Sequence, residues 1–175
     1  MKIDESETAR LTLDGQNVKI IANTYSTNRN FIFQDNKTSE NITTLSVTNP
    51  AVSSPSYRIV KGNTHDWLVV TKIDTWGTGL RYDTDEWYVI DPAGILRMVL
   101  SYKSGGLEVP GDSGRNMYLS TDAFEGVNKY DTSLDIKATY KDCSRKEDGS
   151  DNVCAESSSV SHYVWDGNKE EFILK

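Results

Sequence analysis

Apolar and polar residues alternate along much of this chain, and the alternation is interrupted by short turn-forming pairs. Leu11-Thr-Leu-Asp14-Gly15-Gln16-Asn-Val-Lys-Ile-Ile is one alternating run split by Asp-Gly. Tyr163-Val-Trp-Asp166-Gly167-Asn168, ahead of Phe172-Ile-Leu, is another. Between them, Trp87-Tyr-Val-Ile-Asp91-Pro92-Ala93-Gly94 places Pro and Gly where a tight turn needs them. Asp-Gly reaches positive φ at little cost, and the resulting turns match the twist of paired strands. In Leu134-Asp-Ile-Lys-Ala-Thr-Tyr140 the even positions are apolar and the odd ones polar, the mark of a strand with one buried face. Trp67-Leu-Val-Val70 is apolar throughout, which predicts a central strand covered on both sides.

Applied along the whole chain, the pattern predicts strands near 10–14, 17–25, 30–34, 42–48, 57–61, 67–73, 80–90, 95–103, 116–120, 132–141, 153–165 and 170–174. Asn49–Pro55, rich in Pro and Ser, reads as a long crossover, and Ser104–Gly114 as a second loop of similar size. Ser120-Thr121-Asp122-Ala-Phe-Glu125 reads as one helical turn capped by Ser120 or Thr121. The expected fold is all-β: an antiparallel β-sandwich or flattened β-barrel built from hairpins, with little helix. Residues 1–9 read as a loose, charged lead-in and 10–175 as a single all-β domain.

Charge narrows the choice of partners. Nineteen Lys and Arg against 26 Asp and Glu leave a net charge of −7 with no basic stripe, which argues against nucleic acid. No apolar run approaches the length of a membrane span. The start, Met1-Lys-Ile-Asp-Glu-Ser-Glu, is acidic rather than leader-like, so Met1 reads as the first residue of an expressed mature fragment.

Candidate chemistry is sparse. Gly111-Asp-Ser113-Gly114 resembles the nucleophile motif of chymotrypsin-like serine proteases, and the order His65, Asp74 or Asp91, Ser113 matches theirs. The flanking residues differ, however, and His65 and Ser113 lie too close in sequence for that fold, so the four residues read as a turn. Cys143, Cys154 and His162 lack a fourth metal ligand of like quality. Glu147, Asp148, Asp151 and Asn152 do not have calcium-loop spacing and read as a solvated acidic tip, as do Asp83-Thr-Asp85-Glu86. Neither a metal nor a cofactor is implied.

Two features remain. Cys143 and Cys154 frame a wholly polar loop between two strand-like runs, which predicts a disulfide across the mouth of a hairpin. A single stapling pair suits an oxidising compartment, so the chain is expected outside the cytoplasm, secreted or in a bacterial cell envelope. Trp76, in Ile73-Asp-Thr-Trp76-Gly77-Thr78-Gly79, stands among polar residues and glycines: exposed, its indole would stack on a sugar or anchor a protein partner, and folded back it would plug the end of the sandwich or barrel. The function that follows is a non-catalytic extracytoplasmic domain, binding or structural, that meets a protein or carbohydrate surface. Two other classes remain open: a small hydrolase-type enzyme whose site assembles only in three dimensions, and a β-barrel carrier of a small ligand.

Overall fold

The computed structural model describes residues 2–50, 53–77, 79–109, 115–123, 133–144 and 153–175. Strands β1 (Lys2–Ala9), β2 (Val18–Tyr25), β3 (Asn28–Asp35) and β4 (Asn41–Thr48) form one antiparallel sheet in chain order. The 49–55 segment then carries the chain to a second sheet, as its Pro/Ser composition predicts. That sheet contains β5 (Ser56–Val60), β6 (Trp67–Gly77), β7 (Leu80–Ile90), β8 (Leu96–Glu108), β9 (Arg115–Ala123), β10 (Ser133–Ser144), β11 (Val153–Asp166) and β12 (Glu171–Leu174), again antiparallel and in chain order. The all-β, hairpin-built architecture expected from the alternation is the observed one.

The apolar run at 67–70 shows why two sheets suffice for three layers. Leu68 and Val70, with Tyr88 and Ile90 of β7, face the first sheet and meet Ile20, Ala22, Phe31 and Phe33. Trp67, Val69, Trp87 and Val89 belong to a second core on the other side of the same strands. There the eight-stranded sheet curls back, bringing Leu134, Ile136, Tyr163, Trp165 and Phe172 onto the two indoles. Trp165 and Phe172 meet edge to face at 5.2 Å, and β12 comes up beside β8. Both Trp67 and Trp87 are fully buried.

Covalent closure is where the polar loop predicts it. Cys143 and Cys154 are direct register partners on β10 and β11 and are disulfide-bonded, with Cα atoms 4.0 Å apart. Cys143 is buried, whereas Cys154 lies on the open side of the arm.

Five expectations are corrected. Residues 2–9 are not a lead-in but edge strand β1, laddered to β2 from Lys2↔Thr24 to Ala9↔Val18. An edge strand held by backbone pairing needs little apolar alternation, and among the described side chains of β1 only Ala9 is buried. Residues 10–14, expected as a strand, make only an isolated bridge: Leu13 N–H donates to Ile90 O and Ile90 N–H to Leu11 O, tying the chain to the end of β7. The Asp14-Gly15 turn itself forms, with Gly15 at φ 78°. Residues 104–108 are strand, not loop. A Cβ on Gly106 would lie 2.8 Å from the Tyr82 ring, so this glycine serves close packing rather than a bend. Ser120–Ala123 continue β9 instead of starting a helical turn, because pairing with β10 overrides the capping signal. Asp85 and Glu86 are buried mid-strand rather than part of a wet tip.

Candidate binding groove

On the outer face of the first sheet, registered residues form one polar row and one mostly apolar row across three strands. Asn23 of β2 pairs with Asn30 of β3, which pairs with Ser46 of β4; Ile21, Ile32 and Thr44 form the next row. These rows follow from β-strand alternation, since Ala22, Phe31 and Leu45 point the other way into the core. The face is hollowed into a groove of about 380 Å³ lined by Asn23, Tyr25, Asn30, Ile32, Thr44 and Ser46. Its volume falls in the usual range for small-ligand sites.

The lining is uncharged and mixed: Asn23, Asn30, Thr44 and Ser46 bring hydrogen-bonding groups, and Ile32, with Phe31 and Leu45 bordering it, keeps more of the surface apolar than polar. Ser46 Oγ donates to Asn30 Oδ1 at 2.7 Å, which fixes that amide and turns its NH₂ group away from β4. Tyr25 is among the exposed large side chains, offering a ring at one end of the groove. Asn23 is 2% exposed, and its carboxamide oxygen accepts no hydrogen bond among the described residues. A buried acceptor without a partner costs on the order of 1–3 kcal/mol, a penalty that a donor from a ligand or an ordered water would relieve.

The buried carboxylates elsewhere are committed to structure. Asp66, almost fully buried, accepts from the Arg10 backbone N–H at 3.0 Å, from Arg10 Nη2 at 2.9 Å and from Lys61 Nζ at 2.9 Å. Burial pushes its pKa up, but these donors together outweigh burial and hold it below the ordinary value. Asp85 receives Arg58 at 2.8 Å and the Thr71 hydroxyl at 2.7 Å. Glu86 receives Lys72 at 2.6 Å and the Tyr88 hydroxyl at 2.6 Å. Burial raises Tyr102 to about 12 and Tyr88 well above the tyrosine range, so both stay neutral hydrogen-bond donors. Asp14, Asp35 and Asp91 are also lowered: Asp14 first by the Thr12 hydroxyl, Asp35 by the Thr38 backbone N–H and Asp91 by the Ile95 backbone N–H. No group of three or more His, Cys, Asp or Glu able to hold a metal is present among the described residues.

The residues singled out from the sequence are scattered. His65 is buried with its ring 4.5 Å from Trp67, while His162 is exposed on β11 with Nδ1 2.5 Å from Asp135. The two cysteines are disulfide-bonded to each other, which removes them as ligands for a site with His162. Ser113 and the acidic 147–152 loop lie outside the described residues. Trp76 pairs through its backbone with Arg81, one residue before the hairpin closes, while its indole lies outside the described side chains. Sequence reasoning missed the groove because Asn and Ser at alternating positions are what any wet sheet face shows; only the burial of Asn23 distinguishes it. Compared with known families, curated proteins and solved structures, the chain matches none. The geometry alone therefore carries the functional reading.

Proposed function

We propose that this chain is a non-catalytic extracytoplasmic binding domain whose outer groove on β2–β4 recognises a neutral, hydroxyl-rich ligand of the carbohydrate class. The Asn23 side chain, part of the groove lining, carries the reading: its buried oxygen has no donor among the described residues, and a small turn of the carboxamide toward the groove would let a ligand hydroxyl supply one. Asn30, Thr44 and Ser46 add uncharged donors and acceptors, and the Tyr25 ring offers a face for sugar C–H groups. The packing of Trp67, Trp87, Trp165 and Phe172 within the curled sheet favours surface recognition over an internal carrier. Asp66 and Asp91, held below the ordinary carboxylate value by their donors, are committed to structure rather than to proton transfer.

The disulfide supports the extracytoplasmic part of the proposal. Trp76 remains a second contact candidate, since the hairpin it precedes borders a recess of about 210 Å³ lined by Gly77, Gly79, Leu80, Arg81 and Leu107. Backbone amide shifts of the chain titrated with gluco-, galacto- and manno-configured tetrasaccharides test the groove directly. The expected result is movement of residues 23–25, 30–32 and 44–46, abolished by Tyr25→Ala and Asn23→Ala. No movement at millimolar sugar, or movement confined to the β6–β7 hairpin, overturns the assignment to the groove.

A further inference from the structure

Hydroxyl groups account for the polar row of the groove and leave its apolar row without a role. Ile32 lines the groove on β3, and its register partner Ile21 lies beside it on β2, both half-buried. A sugar bearing hydroxyls alone has no methyl group to lay on this row, and apolar surface left uncovered stays in water at a cost.

The polar row is selective in its own way. Asn23 and Asn30 are register partners on neighbouring strands, yet the Asn23 oxygen accepts nothing from Asn30. Asn30 Oδ1 is taken by the Ser46 hydroxyl at 2.7 Å, so the group left to meet a ligand is its NH₂, a donor turned away from β4. Asn23 brings the opposite, an oxygen that accepts no hydrogen bond among the described residues. One strand therefore offers an acceptor and the next a donor, at the same level of the sheet.

We infer that the groove selects a 2-acetamido sugar, an inference that rests on its assignment to carbohydrate. The N–H and C=O of a trans secondary amide lie in one plane and point in opposite directions. The acetamido N–H then reaches the Asn23 oxygen on β2, after the same turn of that carboxamide which a hydroxyl requires, while its carbonyl accepts from the Asn30 NH₂ on β3. The axis of the acetamido group runs along the strands, which carries its methyl to Ile32 and its pyranose ring toward Tyr25. Tyr25, the Asn23–Asn30 pair and Ile32 occupy three successive rows of one face, in the order ring, amide, methyl. The lining holds no cation to pair with a uronic acid or a sulfate, so the sugar is an uncharged one.

Backbone amide shifts of the whole chain test the inference, titrated with the methyl glycosides of glucose, galactose and mannose and with their 2-acetamido counterparts. In at least one pair the acetamido member is expected to bind about tenfold tighter or more, the least that one seated methyl supplies. The largest movement is expected at Asn23, Asn30 and Ile32. Ile32→Thr, which keeps the β-branch but removes apolar wall, is expected to bring the two members of that pair within about threefold of each other. Ser46→Ala, which frees the Asn30 amide to turn, is expected to narrow the same ratio, with the circular dichroism of both variants unchanged. Equal affinity within every pair, with movement in the groove, overturns acetamido selection and leaves the carbohydrate reading standing. A preference that survives both substitutions also overturns it, because the selection then arises elsewhere. No movement with any of the sugars removes the carbohydrate reading and this inference with it.

Discussion

Reducing Cys143–Cys154 is a perturbation whose size follows from the structure. The bridge closes a loop with a sequence separation of 11, and on the chain-entropy model a loop of that length stabilises the fold by roughly 3 kcal/mol. In a domain of this size, about 3 kcal/mol corresponds to a fall in melting temperature of about 6–12 °C. The bridge sits at the far end of an arm whose β11 side is exposed from Cys154 to Val160, whereas the two cores lie around β6 and β7. The reduced arm therefore frays first, and fraying recovers part of the lost stability, so about 3 kcal/mol is an upper bound. Denaturant unfolding with and without reductant measures the global term. Amide exchange at 141–144 and 154–157 reports the local opening, while near-ultraviolet dichroism from Trp67 and Trp87 reports the core. A loss well beyond 5 kcal/mol, or collapse of the indole signal on reduction alone, refutes the reasoning by showing that the bridge holds the core itself.

Leu68→Ala removes a fully buried side chain from the layer shared by the two sheets and is expected to cost about 2–5 kcal/mol by denaturant unfolding; a cost under 1 kcal/mol would show that layer to be loosely packed. Asp66→Ala leaves Arg10 and Lys61 without their carboxylate and is expected to cost about 2–3 kcal/mol, tempered because both cations reach solvent. Gly106→Ala drives a Cβ against the Tyr82 ring and the Arg81 carbonyl, with an expected cost of about 1–3 kcal/mol read from the melting temperature. Acid should weaken the fold: Asp14, Asp35, Asp66 and Asp91 lie below the ordinary aspartate value near 3.8 when folded. Their contribution is therefore complete above that pH and lost as pH falls through the depressed values. Rising stability from pH 5 to 3 would contradict it.

Much of the fold is legible because β-strand alternation and turn chemistry are local signals. Trp67–Val70 announces its own two-sided burial, and Asp91-Pro-Ala-Gly94 closes its turn with Gly94 at φ 80° and its N–H on Asp91 O. Where the reading fails, a long-range partner decides. Lys2–Glu7 are strand only because β2 lies alongside them, and Gly105-Gly106 look like a loop until the Tyr82 ring beside them is known. Asp83–Glu86 look like a wet turn, yet Arg58 and Lys72, distant in sequence, make the interior habitable for Asp85 and Glu86.

Recognition surfaces are harder to read than folds for a physical reason visible in this chain. Core residues must be apolar and periodic, so they leave a pattern; a binding residue departs from the pattern only by what it lacks. Asn23 occupies a position where any polar residue satisfies the alternation, and its distinction is a buried oxygen without a donor, a three-dimensional property. Cys143 and Cys154 are the exception, because a covalent bond demands particular atoms at a particular register, and that demand is written in residue identity.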